Sequence, residues 1–203
     1  MLFQLTPFHK QVLIQHGGFA LKSAFLALLL SSCVASSVAQ SQMASPATSV
    51  KDPVTASLKL LLPRSQKNTV GAVDAMPADK FSYKPTPDQV TFAHLVAHIA
   101  NSNNSLCAKA ANVPDPKVDE AKEADGKDKL LAAVKASFDF CGEALGKMDD
   151  SKLGDNVELF GGRQLPRAMA ALGLASGWAD HYATAAMYLR LNNILPPSAQ
   201  PKK

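Results

Sequence analysis

Four long segments of this chain carry apolar residues at the spacing of an α-helix, which constrains the fold more than any other feature. The pattern predicts helices over about 53–75, 87 or 88 to 112, 127–147 and 166–193. No segment shows the apolar–polar alternation that is typical of a β-strand. The sequence therefore predicts an all-α protein, a four-helix bundle of the up-down or single-crossover type.

Prolines predict where the first helix begins and where it is disturbed. Pro53 suits the first helical turn, and Asp52 is a candidate N-cap. Pro63 removes a backbone donor inside the helix, so we expect a kink or break near 59–62. Three prolines in the segment 76–89 predict a partly extended linker between the first two helices.

The histidines are the main candidates for chemistry. Beyond residue 39 there are three: His94 and His98, one turn apart in the second predicted helix, and His181 in the fourth. With about 100° of rotation per residue, His98 lies at the edge of the apolar stripe and His94 points toward solvent. The fourth helix is apolar on nearly all sides, which predicts a central helix and places His181 in the interior or in a cleft.

Two interpretations of these histidines follow from the residues alone. If their helices pack together, the imidazoles could share a metal ion. The ordinary alternative is that buried His181 hydrogen-bonds a backbone carbonyl, a carboxylate, or a hydroxyl such as that of Tyr83 or Tyr188.

Residues 1–39 have the composition of an export signal. The segment contains Lys10 and Lys22 and no acidic residue, and an apolar run follows the second lysine. Small residues at 37–39 predict cleavage before Gln40. The expected location of the mature protein is therefore the periplasm or the medium.

Two alternatives to simple cleavage remain open. The residues before Cys33 also fit a lipobox, in which this cysteine would be lipidated and become the first mature residue. A structural N-terminal helix is the other alternative. A stable membrane span is not expected, because the apolar run is shorter than the roughly 20 residues that a spanning helix needs.

After the signal we expect a disordered leader over 40–51, one domain over 52–198 and a short tail over 199–203.

The charge of the mature chain argues against a nucleic-acid partner. Removing Lys10 and Lys22 from the 21 basic residues leaves 19, against 17 acidic residues. A net charge near +2, spread evenly along the chain, is too small for a nucleic-acid-binding surface.

The mature chain has two cysteines, Cys107 and Cys141. In an oxidising compartment we expect a disulfide that joins the second and third helices. Closing a loop of about 33 residues would stabilise the fold by roughly 3–4 kcal/mol. Two buried free thiols are the alternative.

Other candidate residues have ordinary structural explanations. Asp149 and Asp150 fit the solvated end of the third helix, and Arg190 fits a helix C-terminus. Trp178 and Tyr182 flank His181; they fit the core, with a small pocket wall as the alternative. The sequence contains no phosphate-binding loop, nucleophile elbow, dinucleotide fingerprint or C-x-x-C motif.

Two segments resemble a known family. AMPADKFSYKPTPDQVTFAHLVAHIANSNNSLC (75–107) and DHYATAAMYLRLNNILPPS (180–198) are similar to the DinB-like superfamily, and more narrowly to its exported bacterial members. The resemblance covers about 53–198. It implies a four-helix bundle that holds a divalent metal, often nickel or zinc, through one histidine of the second helix and an H-x-x-x-H pair of the last. Relatives commonly form homodimers, and some transfer or isomerise low-molecular-weight thiols.

The resemblance assigns metal ligands only in part. His98 matches the ligand of the second helix, and His181 matches the later histidine of the pair. The earlier histidine is replaced by Gly177, and Ala183 stands where relatives often have glycine. Three outcomes are open: His94 substitutes as a ligand, the two histidines bind a metal weakly with water or a carboxylate, or the site is vestigial.

Two functions remain in view. In the first, a metal on His98 and His181 supports thiol-dependent transfer or metal-assisted hydrolysis. In the second, the protein is a non-catalytic exported helical module with a degenerate metal site, which binds a small molecule or a partner.

Overall fold

The computed structural model describes residues 49–201. The predicted export signal, Cys33 and most of the predicted leader lie outside the described residues.

Four helices and one β-hairpin make up the described chain. The helices are α1 (Pro53–Ala75), α2 (Phe92–Ala111), α3 (Lys127–Gly146) and α4 (Ala168–Leu191), and the antiparallel strands are β1 (Asn156–Leu159) and β2 (Arg163–Pro166). Short 3-10 turns lie at Ala78–Lys80, Asp150–Lys152 and Pro197–Ala199. The four predicted helices are confirmed. The hairpin was not predicted, because strands of four residues are too short to display a convincing alternation.

The order of the helices around the bundle differs from the chain order. Both α1 and α2 pack against α3 and α4, so α1 and α2 lie at opposite corners. The connections 76–91 and 147–167 therefore cross the ends of the bundle diagonally. An up-down bundle in which each helix packs against the next was one of the two predicted arrangements, and the chain does not adopt it. Connections of about 16 and 21 residues are long enough to reach the far corner.

Helix α2 begins at Phe92, four or five residues later than predicted, because Thr91 provides the N-cap. Its hydroxyl accepts a hydrogen bond from the His94 amide at 3.0 Å. The amides of Phe92 and Ala93 donate to linker carbonyls at 3.1 and 2.8 Å. These bonds satisfy the amide donors of the first turn of the helix, so the helix begins at Phe92 and not near Pro87.

Helix α1 continues through Pro63, so of the predicted kink or break the break does not occur. Its N-terminus also differs from expectation. Asp52 occupies the N-cap position but makes no side-chain cap. Instead, the Asp150 carboxylate accepts bonds from the amides of Val54 and Thr55, at 2.8 and 3.0 Å, and from the Thr55 hydroxyl at 2.7 Å. Asp150 is thus a half-buried cap of a distant helix, not a solvated residue at the end of α3.

The core lies where all four helices meet. Its largest fully buried side chains include Phe92, Phe138, Leu174 and Tyr188. Cys107 and Cys141 are fully buried and form the predicted disulfide between α2 and α3.

Helix α4 packs against α1 and α2 and leaves its outer face exposed, contrary to the prediction that it is central. Its large apolar side chains at Met169, Leu172, Met187 and Leu191 are 40 to 60% exposed. Alanines form much of the buried face of α4 beside Trp178. The large apolar residues on the outer face therefore do not belong to the core. Among residues 49–201, no helix has the length and apolar character required to cross a membrane.

Candidate functional site

The packing of α2 against α4 brings His98 and His181 together. Their ring centroids lie 5.0 Å apart and their planes are nearly perpendicular, at 87°. His98 is exposed, whereas His181 is half-buried. The predicted meeting of these two imidazoles, from segments 83 residues apart in the chain, is therefore observed.

The environment of the pair favours a neutral His181. Burial of its ring, and next the neighbouring His98, lower the pKa of His181, while Asp180 acts in the opposite direction. The Ser102 hydroxyl lies 3.3 Å from His98 Nε2. A neutral imidazole offers one donor and one acceptor, so the pair can bind polar ligand groups of either kind.

The histidine pair lies in a cleft of about 570 Å³. Besides the histidines, its wall includes Ser102, Leu106, Lys109 and Phe160. The α2 residues recur at helical spacing from His98, which places them on one face. This combination of apolar surface and a few polar groups is typical of a small-molecule site.

The β-hairpin forms the far wall of the cleft. Its turn consists of Phe160, Gly161 and Gly162, with φ of 46°, 82° and 88°. The glycine pair therefore reverses the chain. A Cβ atom at Gly173 of α4 would lie 3.7 Å from Phe160 Cζ and 3.6 Å from Leu106 Cδ1, which is ordinary van der Waals contact, so Gly173 faces both residues across the cleft.

Gly177 faces His181 from the preceding turn of α4. A Cβ atom there would lie 3.5 Å from His181 Cε1 and 3.8 Å from Nδ1, which is ordinary van der Waals contact. The position that resemblance assigns to a third metal ligand is thus adjacent to the pair, and it has room for a side chain.

The donor set does not complete a three-histidine metal centre. Catalytic zinc sites usually have three protein ligands, and this pair supplies two. Within residues 49–201, no group of three or more histidine, cysteine or acidic side chains is arranged to hold a metal ion. The residues present therefore do not fit the metal centre that the resemblance implies.

His94 does not join the pair. Its Nδ1 lies 3.2 Å from Glu123 Oε2, and the Thr91 hydroxyl donates to the other carboxylate oxygen at 2.7 Å. This contact joins the loop before α3 to the start of α2. His94 is exposed, as its predicted orientation requires.

Trp178 and Tyr182 do not line the histidine cleft. Trp178 is buried, and its indole N–H donates to Asn103 Oδ1 at 2.9 Å. The Tyr182 hydroxyl donates to Ser198 Oγ at 2.7 Å and accepts from the Ser198 amide at 2.9 Å. The core role predicted for Trp178 is confirmed. Tyr182 is partly buried against the core, and its hydroxyl also holds the segment that follows α4.

Sequence reasoning missed Lys109, Glu158 and Arg167. Lys109 had a usable signal, because it follows His98 by eleven residues and so lies on the same helical face. Glu158 and Arg167 had none, because they reach this region only through the unpredicted hairpin and the residue after it.

Comparisons with known proteins agree with this architecture. The family model described as the DinB superfamily matches residues 61–185, more than half of the chain. The chain belongs to the DinB superfamily.

Two solved structures show the same DinB fold. A DinB-like protein from Bacillus cereus ATCC 10987 is 15% identical with a TM-score of 0.57, and the match covers 69% of this chain and 93% of that one. A DinB-like protein from Bacillus subtilis is 16% identical with a TM-score of 0.56, covering 72% and 99%. No curated protein sequence matches this DinB-superfamily chain.

Proposed function

We propose that this protein is a non-catalytic binding module that holds a small ligand in the cleft between α2, α4 and the hairpin. The observation that carries the proposal is Gly177. It lies directly beside His181 and leaves open the space where a third imidazole would complete a metal centre.

The cleft supplies both kinds of contact that a small ligand needs. Leu106 and Phe160 offer apolar surface, while His98, His181 and Ser102 offer hydrogen-bonding groups. A volume of about 570 Å³ is within the usual range of small-molecule pockets. With the pKa of His181 lowered, its ring can accept a hydrogen bond at neutral pH and needs no counterion.

The variant Gly177→His tests the proposal. The new Cβ meets no clash, so its imidazole can approach His181 and His98. We expect affinity for nickel or zinc to rise by about a hundredfold or more, because a third nitrogen ligand completes a typical site. Isothermal titration with each metal measures the change.

Gly173→His is the matched control, because it replaces another glycine of α4 one turn away. Its Cβ would face Leu106 and Phe160 and not the histidine pair, so metal affinity should stay at the level of the natural protein. Tight metal binding by the natural protein, with Gly177 in place, would refute the binding-module proposal.

A second candidate function is favoured by the 5.0 Å approach of the imidazole rings. In this alternative the pair holds nickel or zinc, and the site supports thiol-dependent transfer or metal-assisted hydrolysis. Metal analysis of the purified protein separates the candidates. About one ion per chain, lost in both His98→Ala and His181→Ala, would establish the metal site.

We further propose that the protein is exported. The composition of residues 1–39 supports this, and so does the disulfide, which is typical of oxidising compartments. Mass spectrometry of the protein from its native cells tests the proposal. A mature chain beginning at Gln40 indicates simple cleavage, a lipidated Cys33 indicates anchoring, and an intact N-terminus would contradict export.

We also propose that the protein forms the homodimer that the family resemblance implies. Analytical ultracentrifugation of the purified protein tests this proposal.

A further inference from the structure

A second cavity, of about 350 Å³, lies next to the histidine cleft, between the C-terminal end of α2 and the hairpin. Lys109 and Glu158 line both spaces, so the two share a wall. Arg167, Asn112 and Asp115 also line the second cavity. Neither histidine of the pair belongs to it.

Arg167 is a buried cation bound to neutral groups. It is 6% exposed and precedes α4 directly. One guanidinium nitrogen donates to the backbone carbonyl of Lys109, and another donates to Asn112 Oδ1 at 3.0 Å. The Nε–H of Arg167 has no hydrogen-bond partner in the described structure. Five N–H donors are available to a guanidinium, so this side chain can bind further acceptors.

The charges around the cavity are not paired with each other. Neither Arg167 nor Lys109 forms an ion pair with any residue of 49–201. Asp115 and Glu158 line the same space, so it presents two cations and two carboxylates. Of these four charged groups only Arg167 is buried; Lys109 is half-buried, and Asp115 and Glu158 are exposed. Because a buried cation in a protein is normally compensated, Arg167 points to a ligand that carries a negative group.

The charges of the side chains that line the cavity indicate the kind of ligand. A plain anion would be repelled by Asp115 and Glu158, and a plain cation would be repelled by Arg167 and Lys109. A zwitterion matches both sets at once. A carboxylate can accept two parallel hydrogen bonds from a planar guanidinium group, and an ammonium group can form an ion pair with an acidic side chain.

We propose that this second cavity binds a small zwitterion of the α-amino-acid type. Its carboxylate contacts Arg167 and Lys109, and its ammonium group faces Asp115 and Glu158. The cavity is at the small end of the range for ligand pockets, which fits a ligand of this size. The site goes beyond the proposed function, because His98 and His181 take no part in it.

Three small molecules of similar size test the requirement for both charges. L-alanine carries a carboxylate and an ammonium group, propionate carries only the carboxylate, and ethylamine carries only the ammonium group. Binding to the purified protein is measured by saturation-transfer NMR and calorimetry. We expect alanine to bind at least about tenfold more tightly than either of the other probes, because only alanine compensates both signs.

Two variants locate the binding site. Arg167→Gln should weaken alanine binding by about tenfold or more. Since Arg167 also joins the hairpin to α2, Lys109→Gln provides a second test. It removes a cation and leaves the backbone carbonyl that Arg167 contacts. Arg163→Gln, at an exposed arginine of β2, is the matched control and should bind alanine normally.

Several results would overturn the inference. One is no alanine binding up to about 10 mM, and another is equal binding of the three probes. Unchanged binding in both Arg167→Gln and Lys109→Gln would also refute it. His181→Ala should retain alanine binding. If it alone abolishes that binding, the ligand occupies the histidine cleft and this second site is refuted. A failure of the metal experiments leaves these outcomes unaffected.

Discussion

At the scale of single residues, Asp150 shows how one carboxylate can serve a distant helix. It accepts bonds from two amides and the hydroxyl at the start of α1, about 95 residues earlier. In return, the Asp150 amide donates to Asp52 Oδ1 at 3.1 Å. A negative charge at this end of a helix is also favoured by the helix dipole.

Asp150→Ala should lower the free energy of unfolding by about 1 kcal/mol, the usual cost of losing a helix cap. Urea denaturation measures it. Asp149→Ala is the neighbouring control, since Asp149 bonds only within its own 3-10 turn, through Ser151. An equal loss in both variants would contradict the capping role.

The same carboxylate predicts a pH dependence. Partial burial acts to raise the pKa of Asp150, but hydrogen bonds from Thr55 and from the Val54 and Thr55 amides outweigh it and lower the pKa. Its contribution is therefore complete above the unfolded value of about 3.9 and is lost as pH falls through the lower folded pKa. Denaturation of the natural protein and Asp150→Ala across this range should show their stabilities converging in acid. A constant difference would contradict the assignment.

At the scale of elements, the hairpin is the feature that shapes both cavities. It supplies Phe160 to the histidine cleft and Glu158 to both spaces. Its turn has positive φ at three consecutive residues, and glycine occupies the two positions with the largest values, 82° at Gly161 and 88° at Gly162, where a side chain would be strained.

Gly161→Ala should destabilise the hairpin by about 1 kcal/mol, because φ at this position is 82°. Hydrogen exchange of the β1 and β2 amides should therefore become faster, while exchange in the α2 core changes little. Gly154→Ala is the control, since it lies outside the turn and a Cβ there meets nothing within 4 Å. Equal effects of the two substitutions would contradict the turn argument.

At the scale of the whole molecule, three helices are joined by a buried polar network and a covalent bond. Asn103 of α2 accepts from Trp178 of α4 and donates to Ser137 of α3 at 3.1 Å. The disulfide joins α2 and α3 one turn further along. Satisfied buried polar groups fix the register of helices that apolar packing alone would leave free to slide.

Replacing both cysteines by alanine should lower the free energy of unfolding by about 3–4 kcal/mol, chiefly because the unfolded chain gains freedom. Thermal denaturation with and without a reducing agent checks this. The reductant should lower the melting temperature of the natural protein and leave that of the double variant unchanged. No effect on the natural protein would refute the stabilising role.

The sequence by itself determined the four helices, because helical periodicity is a local pattern. It also left one possible pairing for the two cysteines of the mature chain. The meeting of His98 with His181 was implied by the family resemblance and does not follow from periodicity. Only the tertiary structure decided the diagonal order of the helices, the cap from Asp150, the hairpin, and the cavity around Arg167. These depend on contacts between residues far apart in the chain, whose signals in sequence are single polar residues without periodicity. The same holds for Gly177. Its place beside His181 follows from helix geometry, but the open space around it exists only because α2, α4 and the hairpin pack as they do.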